Sequence, residues 1–317
     1  MSILPNPRVI FPREPSARGT RLGILCGIIA AIIWGAFLTV SRHGIGAGLQ
    51  ASDLAFMRYS TAGLLLLPML LWRSPWTLGG IGWCKGAVLA LLAGPLFVLI
   101  GANGYHFAPL AHGAVIQLGM LTLMSICLAA LVLGERLGLL RIVGLAVLIA
   151  GLATIAGPGL LSGGSQAWIG DILFAVAGSM FACFTILVRR WKISPVNATL
   201  AVSVLSGAVY APIYLATEGL GRLAAASPAM VIEQVGVQGI LSGVVALFAF
   251  SEAVQHLGAG RAALFPALAP VVAILLGIPL VGELPTAGQW LGLVIATAGL
   301  IVALRNPSSA TPAVRPN

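Results

Sequence analysis

Charge is what this chain lacks. Aspartate, glutamate, lysine and arginine make up 8% of its 317 residues, while 59% are hydrophobic and the mean hydropathy is +1.04. A soluble domain carries roughly 25% charged residues and needs polar side chains to cover its surface. This chain has too few, so lipid must be the solvent for most of it. Cysteine is scarce too: Cys26, Cys84, Cys127 and Cys183 lie in or at the ends of apolar runs, no two at metal-ligand spacing. That argues against a disulfide framework or metal site and leaves them as small buried hydrophobes. Also missing are a serine-centred nucleophile motif, a Walker-type phosphate loop and a metal cluster. No enzyme chemistry, ATP hydrolysis, metal or cofactor is therefore expected. The net charge of +9 is scattered one or two residues at a time between apolar runs, which argues against a nucleic-acid partner.

What the chain has is long apolar runs. About 20 apolar residues in a helix cross the roughly 30 Å hydrocarbon layer, and unpaired backbone is too costly in lipid for such runs to be anything but helical. Ten are read, at 22–40, 54–72, 84–104, 112–133, 139–157, 170–188, 198–217, 236–256, 261–281 and 287–305. Residues 1–21, with four prolines and four arginines, read as a disordered basic tail, and 306–317 as a second tail. The first run is too long for a signal core of about 7–15 residues and reads as a retained span.

Orientation follows from the basic residues, which concentrate on the cytoplasmic side. With the N-terminus inside, fourteen lysines and arginines fall on the cytoplasmic side and two, Arg42 and Arg222, outside. One span more or fewer would scramble this bias, so the charges support ten crossings with both chain ends cytoplasmic.

The sequence also repeats itself. Gly134–Glu135 matches Gly282–Glu283 at an offset of 148 residues, and with that offset Gly144–Leu145 matches Gly292–Leu293 and Ala150–Gly151–Leu152 matches Ala298–Gly299–Leu300. Gly23, Ala30, Phe37 and Arg42 match Gly170, Ala177, Phe184 and Arg189; Gly63 and Pro68 match Gly207 and Pro212. The chain thus divides into five-helix repeats at 22–157 and 170–305. Five is odd, so the second repeat is expected to enter the membrane from the opposite side, the inverted arrangement common in secondary transporters.

Leu133–Gly134–Glu135–Arg136–Leu137 with Gly144 and Gly151, its echo Val281–Gly282–Glu283 with Pro270 before it, and Phe56–Met57–Arg58–Tyr59 together resemble the EamA branch of the drug/metabolite transporter superfamily. Thr122 departs from the pattern, standing where the second half has Pro270. The resemblance implies a multi-pass inner-membrane carrier of amino acids or related metabolites, an exporter driven by exchange or an ion gradient.

Candidate cavity residues are Trp34, Arg58, Asn103, Gln117, Phe181, Phe184 and Glu252. An arginine inside a span is a functional hypothesis by default. Arg58 either holds a substrate carboxylate, snorkels to the interface or pairs with Asp53. Glu252, with His256 at i+4, either binds a proton or cation or forms an ordinary helix-end pair. Gln117 should face protein or water, and Trp34, Phe181 and Phe184 form either a stacking wall or plain packing. His106 and His112, near Asn103 and Tyr105, are candidates for a pH-linked gate or ordinary loop residues. Pro266 and Pro270, read inside the ninth helix, are candidate gating kinks. Glu135 and Glu283 read as structural acids favouring the helices that follow them. The small residues Gly23, Gly27, Ala31 and Gly35 mark a close-packing face.

The expectation is a carrier working by alternating access, with a small-molecule substrate, the bilayer, and a proton or counter-substrate as partners. The alternatives are a channel, a structural membrane subunit and an intramembrane enzyme.

Overall fold

The computed structural model describes residues 17–73, 75–135, 138–161, 166–262 and 264–304. The 306–317 tail and most of the 1–21 tail lie outside them; residues 17–21 are helical rather than tail. Among the described residues the fold is all helical, with no strand. The main helices are α1 Ala17–Gly46, α2 Ala51–Arg73, α3 Trp83–His106, α4 Leu110–Leu133, α5 Leu139–Leu161, α6 Ala167–Arg190, α7 Pro195–Thr217, α8 Pro228–Leu257, α9 Phe265–Val281 and α10 Ala287–Leu304. Each coincides with one of the ten apolar runs. The first eight are long and apolar enough to cross a membrane; α9 and α10 are shorter apolar helices.

Local chemistry sets the ends. Ser194 and Ser227 accept the backbone N–H of Asn197 and Met230, with Pro195 and Pro228 next in the chain, so α7 and α8 begin on a capping serine followed by a proline whose missing N–H is not needed. Gly134 and Gly282 end α4 and α9 in the left-handed region, at φ 69° and 73°, where a side chain would be strained. This explains the glycine of the repeated Gly-Glu pair. Pro266 and Pro270 correct the sequence reading. Pro266 sits in the first turn of a short 3-10 segment, Phe265–Leu268, and Pro270 in the first turn of the α-helix Ala269–Val281. In those places proline costs the helix no interior hydrogen bond. Besides that 3-10 turn at the start of α9, α3 breaks at Gly94 before Pro95, and α4 and α8 contain π-helical segments, Gly113–Gln117 and Val235–Val245.

The two halves exchange partners. α1 packs on α8 and α9, while its repeat counterpart α6 packs on α3 and α4; α2 packs on its counterpart α7, and α5 on its counterpart α10. Small residues make these approaches possible. A Cβ on Gly35 would meet Val272 at 2.6 Å, and one on Gly151 would meet the backbone nitrogen of Ala296 at 2.4 Å. Large apolar side chains point outward instead: Leu131 is 82% exposed and Leu64 70%, a surface suited to lipid and not to water. The cysteines follow the same rule. Cys84 is exposed and the other three are half-buried, so none is the buried hydrophobe expected, because outward positions in this bundle are apolar too.

The α5–α10 contact should therefore be intolerant of bulk. Gly151→Leu is expected to lower the melting temperature of detergent-solubilised protein sharply, since overpacking costs about 1–3 kcal/mol or more. Gly46→Leu, where a Cβ meets nothing within 4 Å, is expected to be near neutral by the same measurement.

Candidate functional site

Between the halves lies a cavity of about 550 Å³, in the range that holds a metabolite-sized molecule. Trp34 of α1, Arg58 of α2, Phe181 and Phe184 of α6 and Ser242 of α8 contribute to its wall. The wall continues to Arg189, Ser194 and Pro195, at the junction of α6 and α7, and to Gln255 near the end of α8. The cavity thus runs from Arg58 towards one end of the bundle. Aromatic pairs hold its walls: Trp34 against Phe250 with ring centroids 5.1 Å apart, and Phe181 against Phe184 at 5.2 Å and Phe97 at 5.3 Å.

Arg58 neither snorkels to the helix end nor pairs with Asp53. Its Nη1 donates to Ser242 Oγ at 2.9 Å, and its guanidinium carbon sits 4.7 Å from the centroid of the Phe37 ring, a cation–π position. Asp53 is occupied elsewhere. It is fully buried and accepts hydrogen bonds from Tyr214 Oη (2.5 Å) and Arg222 Nε (3.0 Å). Hydrogen bonding to Asp53 and then to Glu218 pushes the Arg222 pKa above its ordinary value, so this pin stays charged.

The other sequence candidates fall outside the cavity wall. Glu252 pairs with His256 at 3.5 Å, and its side chain is 48% exposed; Ser251, Val254 and Gln255 face the cavity in its place. Gln117 is buried and lines a separate small pocket with Phe37, Ser41 and Tyr105. Asn103 Nδ2 donates to Leu99 O within its own helix. His106 is exposed. His112 is no loop residue: it is buried, with Nδ1 2.7 Å from Asp171 Oδ1. The sequence reading missed Phe37 as the platform for Arg58, Ser242 as its acceptor, and Asp171.

It also missed what Glu135 and Glu283 do. At the end of the bundle away from the cavity mouth, Arg42 Nε donates to Glu283 Oε1 at 2.6 Å and Arg42 Nη1 to Tyr105 O at 3.0 Å, while Glu283 Oε2 accepts the N–H of Leu110 at 2.7 Å. At the cavity end, Glu135 accepts from Arg189 and from Arg141 Nη1 at 3.2 Å. Arg42 and Arg189 are repeat counterparts, as are Glu135 and Glu283. Each arginine therefore bonds the glutamate of the opposite half. Burial works against ionisation of Glu135, but hydrogen bonds and charge from Arg189 and Arg141 outweigh it and hold the carboxyl below its ordinary value.

Known proteins agree with this architecture. The EamA-like transporter family matches residues 21–157 and again 168–305. The chain is similar to the "Uncharacterized inner membrane transporter YedA" of Escherichia coli K12 and of Escherichia coli O157:H7, at 28% identity over 286 residues in each case, covering 86% of this chain and 88% of theirs. A solved structure, described only as "Crystal structure of protein", shares the fold with a TM-score of 0.60 at 18% identity, over 89% of this chain and 96% of its own. An all-helical, lipid-facing bundle of two interlocked repeats around a central cavity defines a membrane transporter. This chain belongs to the EamA-like transporter family.

The Glu135 site has a signed pH dependence. A carboxylate with a depressed folded-state pKa stabilises the fold above its unfolded pKa, and that contribution is lost as pH falls through the folded value. Wild type is expected to melt higher than Glu135→Gln at pH 7, with the gap closing progressively below about pH 4.5, the ordinary value, as measured by thermal melts in detergent.

Proposed function

We propose that this protein is a secondary carrier of the inner membrane that moves a small organic metabolite by alternating access, crossing the bilayer ten times with both chain ends in the cytoplasm. The 14-to-2 distribution of basic residues supports the orientation. The name of its Escherichia coli relatives supports the membrane. For the crossings, α9 spans roughly 25 Å at 1.5 Å per residue, enough for a thin or locally adapted bilayer.

The observation that carries the reading is the asymmetry between two ion pairs related by the repeat. Arg42 and Glu283 are about one-quarter exposed and are reinforced by Tyr105 O and Leu110 N. Arg189 in the counterpart pair is 50% exposed, and it lines the cavity mouth. At the repeat offset, Tyr105 and Leu110 correspond to Ala253 and Gly258, and the Gly258 N–H is bonded within its own helix to Val254 O. The Arg42–Glu283 end is latched to backbone groups; the Arg189–Glu135 end lacks those bonds, holds Arg141 on Glu135 instead, and is slack at Arg189. If the inverted halves exchanged conformations, the slack pair would gain the second set of bonds and the latched pair would lose its own. An exchange of that kind would be alternating access. The cavity in this state faces the Arg189 end, the cytoplasmic side under the proposed topology. Export of a cytoplasmic metabolite is the direction we propose.

A channel would need a path open at both ends, which the latched end opposes. The test is counterflow of a panel of radiolabelled organic metabolites in proteoliposomes: saturable exchange of at least one compound is expected, and folded protein that exchanges none sinks the reading. Arg42→Glu and Glu283→Arg are each expected to slow that exchange about tenfold or more, and the double swap to restore much of it. Single variants with full activity would remove the latch from the mechanism.

A further inference from the structure

We infer that the ligand of the central cavity is an organic monocarboxylate with an apolar or aromatic body and no ammonium group, anchored on Arg58. This rests on the carrier reading only for what happens after binding.

The argument is a charge inventory. Two cations line the cavity among its described residues, Arg58 and Arg189. Arg189 bonds a carboxylate, Glu135, which it shares with Arg141. Arg58 has no such partner: none of the carboxylates among the described residues forms an ion pair with it, and each is engaged elsewhere, Asp53 and Glu218 with Arg222, Glu135 with Arg141 and Arg189, Glu283 with Arg42, and Asp171, Glu233 and Glu252 with the imidazoles of His112, His43 and His256. The bonds Arg58 does make are to a neutral hydroxyl and an aromatic face. These orient a guanidinium and offset part of its desolvation, but they leave its charge unbalanced inside a largely apolar bundle. A carboxylate supplies the missing charge through short charge-assisted bonds, and the planar guanidinium fork matches it in shape.

The same inventory excludes the amine. No carboxylate lines the cavity among its described residues; its other polar side chains are serines, threonines, Gln255, Tyr59 and the indole of Trp34. An ammonium group would enter a space that already carries an unpaired positive charge and offers it only neutral acceptors, and a desolvated charge without a partner is strongly disfavoured. The apolar remainder of the ligand has Trp34, Phe181, Phe184 and Phe250 to lie against. A zwitterionic amino acid satisfies Arg58 at one end and is penalised at the other. The inference thus departs from the amino-acid expectation that the family resemblance raised.

Three probes separate the possibilities: 3-phenylpropionate, phenylalanine and phenethylamine share a phenylethyl body and differ in whether it carries a carboxylate, both charged groups or an ammonium. Equilibrium binding to the purified full-length protein is measured in detergent at pH 7. 3-Phenylpropionate is expected to bind at least about tenfold more tightly than either amine-bearing probe, a difference of roughly 1.4 kcal/mol. Arg58→Gln is expected to abolish that ranking, and Arg58→Lys to retain part of it, with melting temperatures showing that both variants are folded. Equal binding of the three, preference for phenylalanine or phenethylamine, no binding of 3-phenylpropionate by folded wild type, or an unchanged ranking in folded Arg58→Gln each overturns the inference. Binding is read without transport. A carboxylate-selective protein that fails to exchange anything in liposomes would keep this assignment and lose the carrier reading, while counterflow confined to amines would do the reverse.

Discussion

Inside a bilayer a helix gains nothing by hiding apolar side chains from its surroundings, because lipid is as apolar as leucine. What remains to hold the bundle is the closeness of backbone approach, and this is the constraint on which the rest of the structure depends. Gly151 against Ala296 and Gly35 against Val272 leave no room for a Cβ. These contacts pair α5 with α10 and α1 with α9, each joining one half to the other. Small residues here are therefore the joints between repeats. With α1 seated on α8 and α9, and α6 on α3 and α4, each half supplies the first helix that completes the other half's wall.

Close packing alone would not fix the position of one half against the other, and the sparse charges take that role. Arg42–Glu283 and Arg189–Glu135 join opposite halves at opposite ends. Arg222–Asp53 and His43–Glu233 add further ties at the Arg42 end. In a chain with 8% charged residues, five of the seven described carboxylates are spent on ties between the halves. Because charge in an apolar setting is costly unless it is paired, these pairs define discrete positions and not a continuum of them. Under the carrier reading, two repeat-related latches that traded places would supply the bistability that a gating transition needs.

Much of the fold was legible in the sequence because hydropathy and backbone satisfaction act locally. All ten apolar runs coincide with helices, and the Gly-Glu repeat marks two left-handed helix ends. The ends of α1 and α8 extend beyond the runs read for them because polar residues such as Arg18, Glu233 and Gln234 still lie in helix. The π segments of α4 and α8 were not legible, since a π turn has no composition of its own. Trp34, Arg58, Phe181 and Phe184 could be placed at the cavity because the repeat and an intramembrane charge pointed there. Glu252 could not: two neighbours one residue or one turn away face the cavity, and periodicity without a known face does not choose among them. The latches sit in between. The repeat alignment matched Arg42 with Arg189 and Glu135 with Glu283, but pairing across the halves depends on the exchange of partners, which no local pattern encodes.

The cavity breaks the symmetry that builds it. At the offset that matches Gly63 to Gly207, Arg58 corresponds to Val202, and both residues line the wall. An inverted repeat with an arginine in each half would place two positive charges around the ligand and call for a dianion or two ligands. With valine in the second half, the cavity's cation without a carboxylate partner stays on α2, the other, Arg189, being bonded to Glu135 at the mouth. Exchange of conformations between the halves would then swap which end is open without swapping which wall is charged. A ligand anchored on α2 could be released to either side while its charged group kept the same partner, so the latches at the two ends, not a relay of binding groups across the membrane, would have to set its direction of exit.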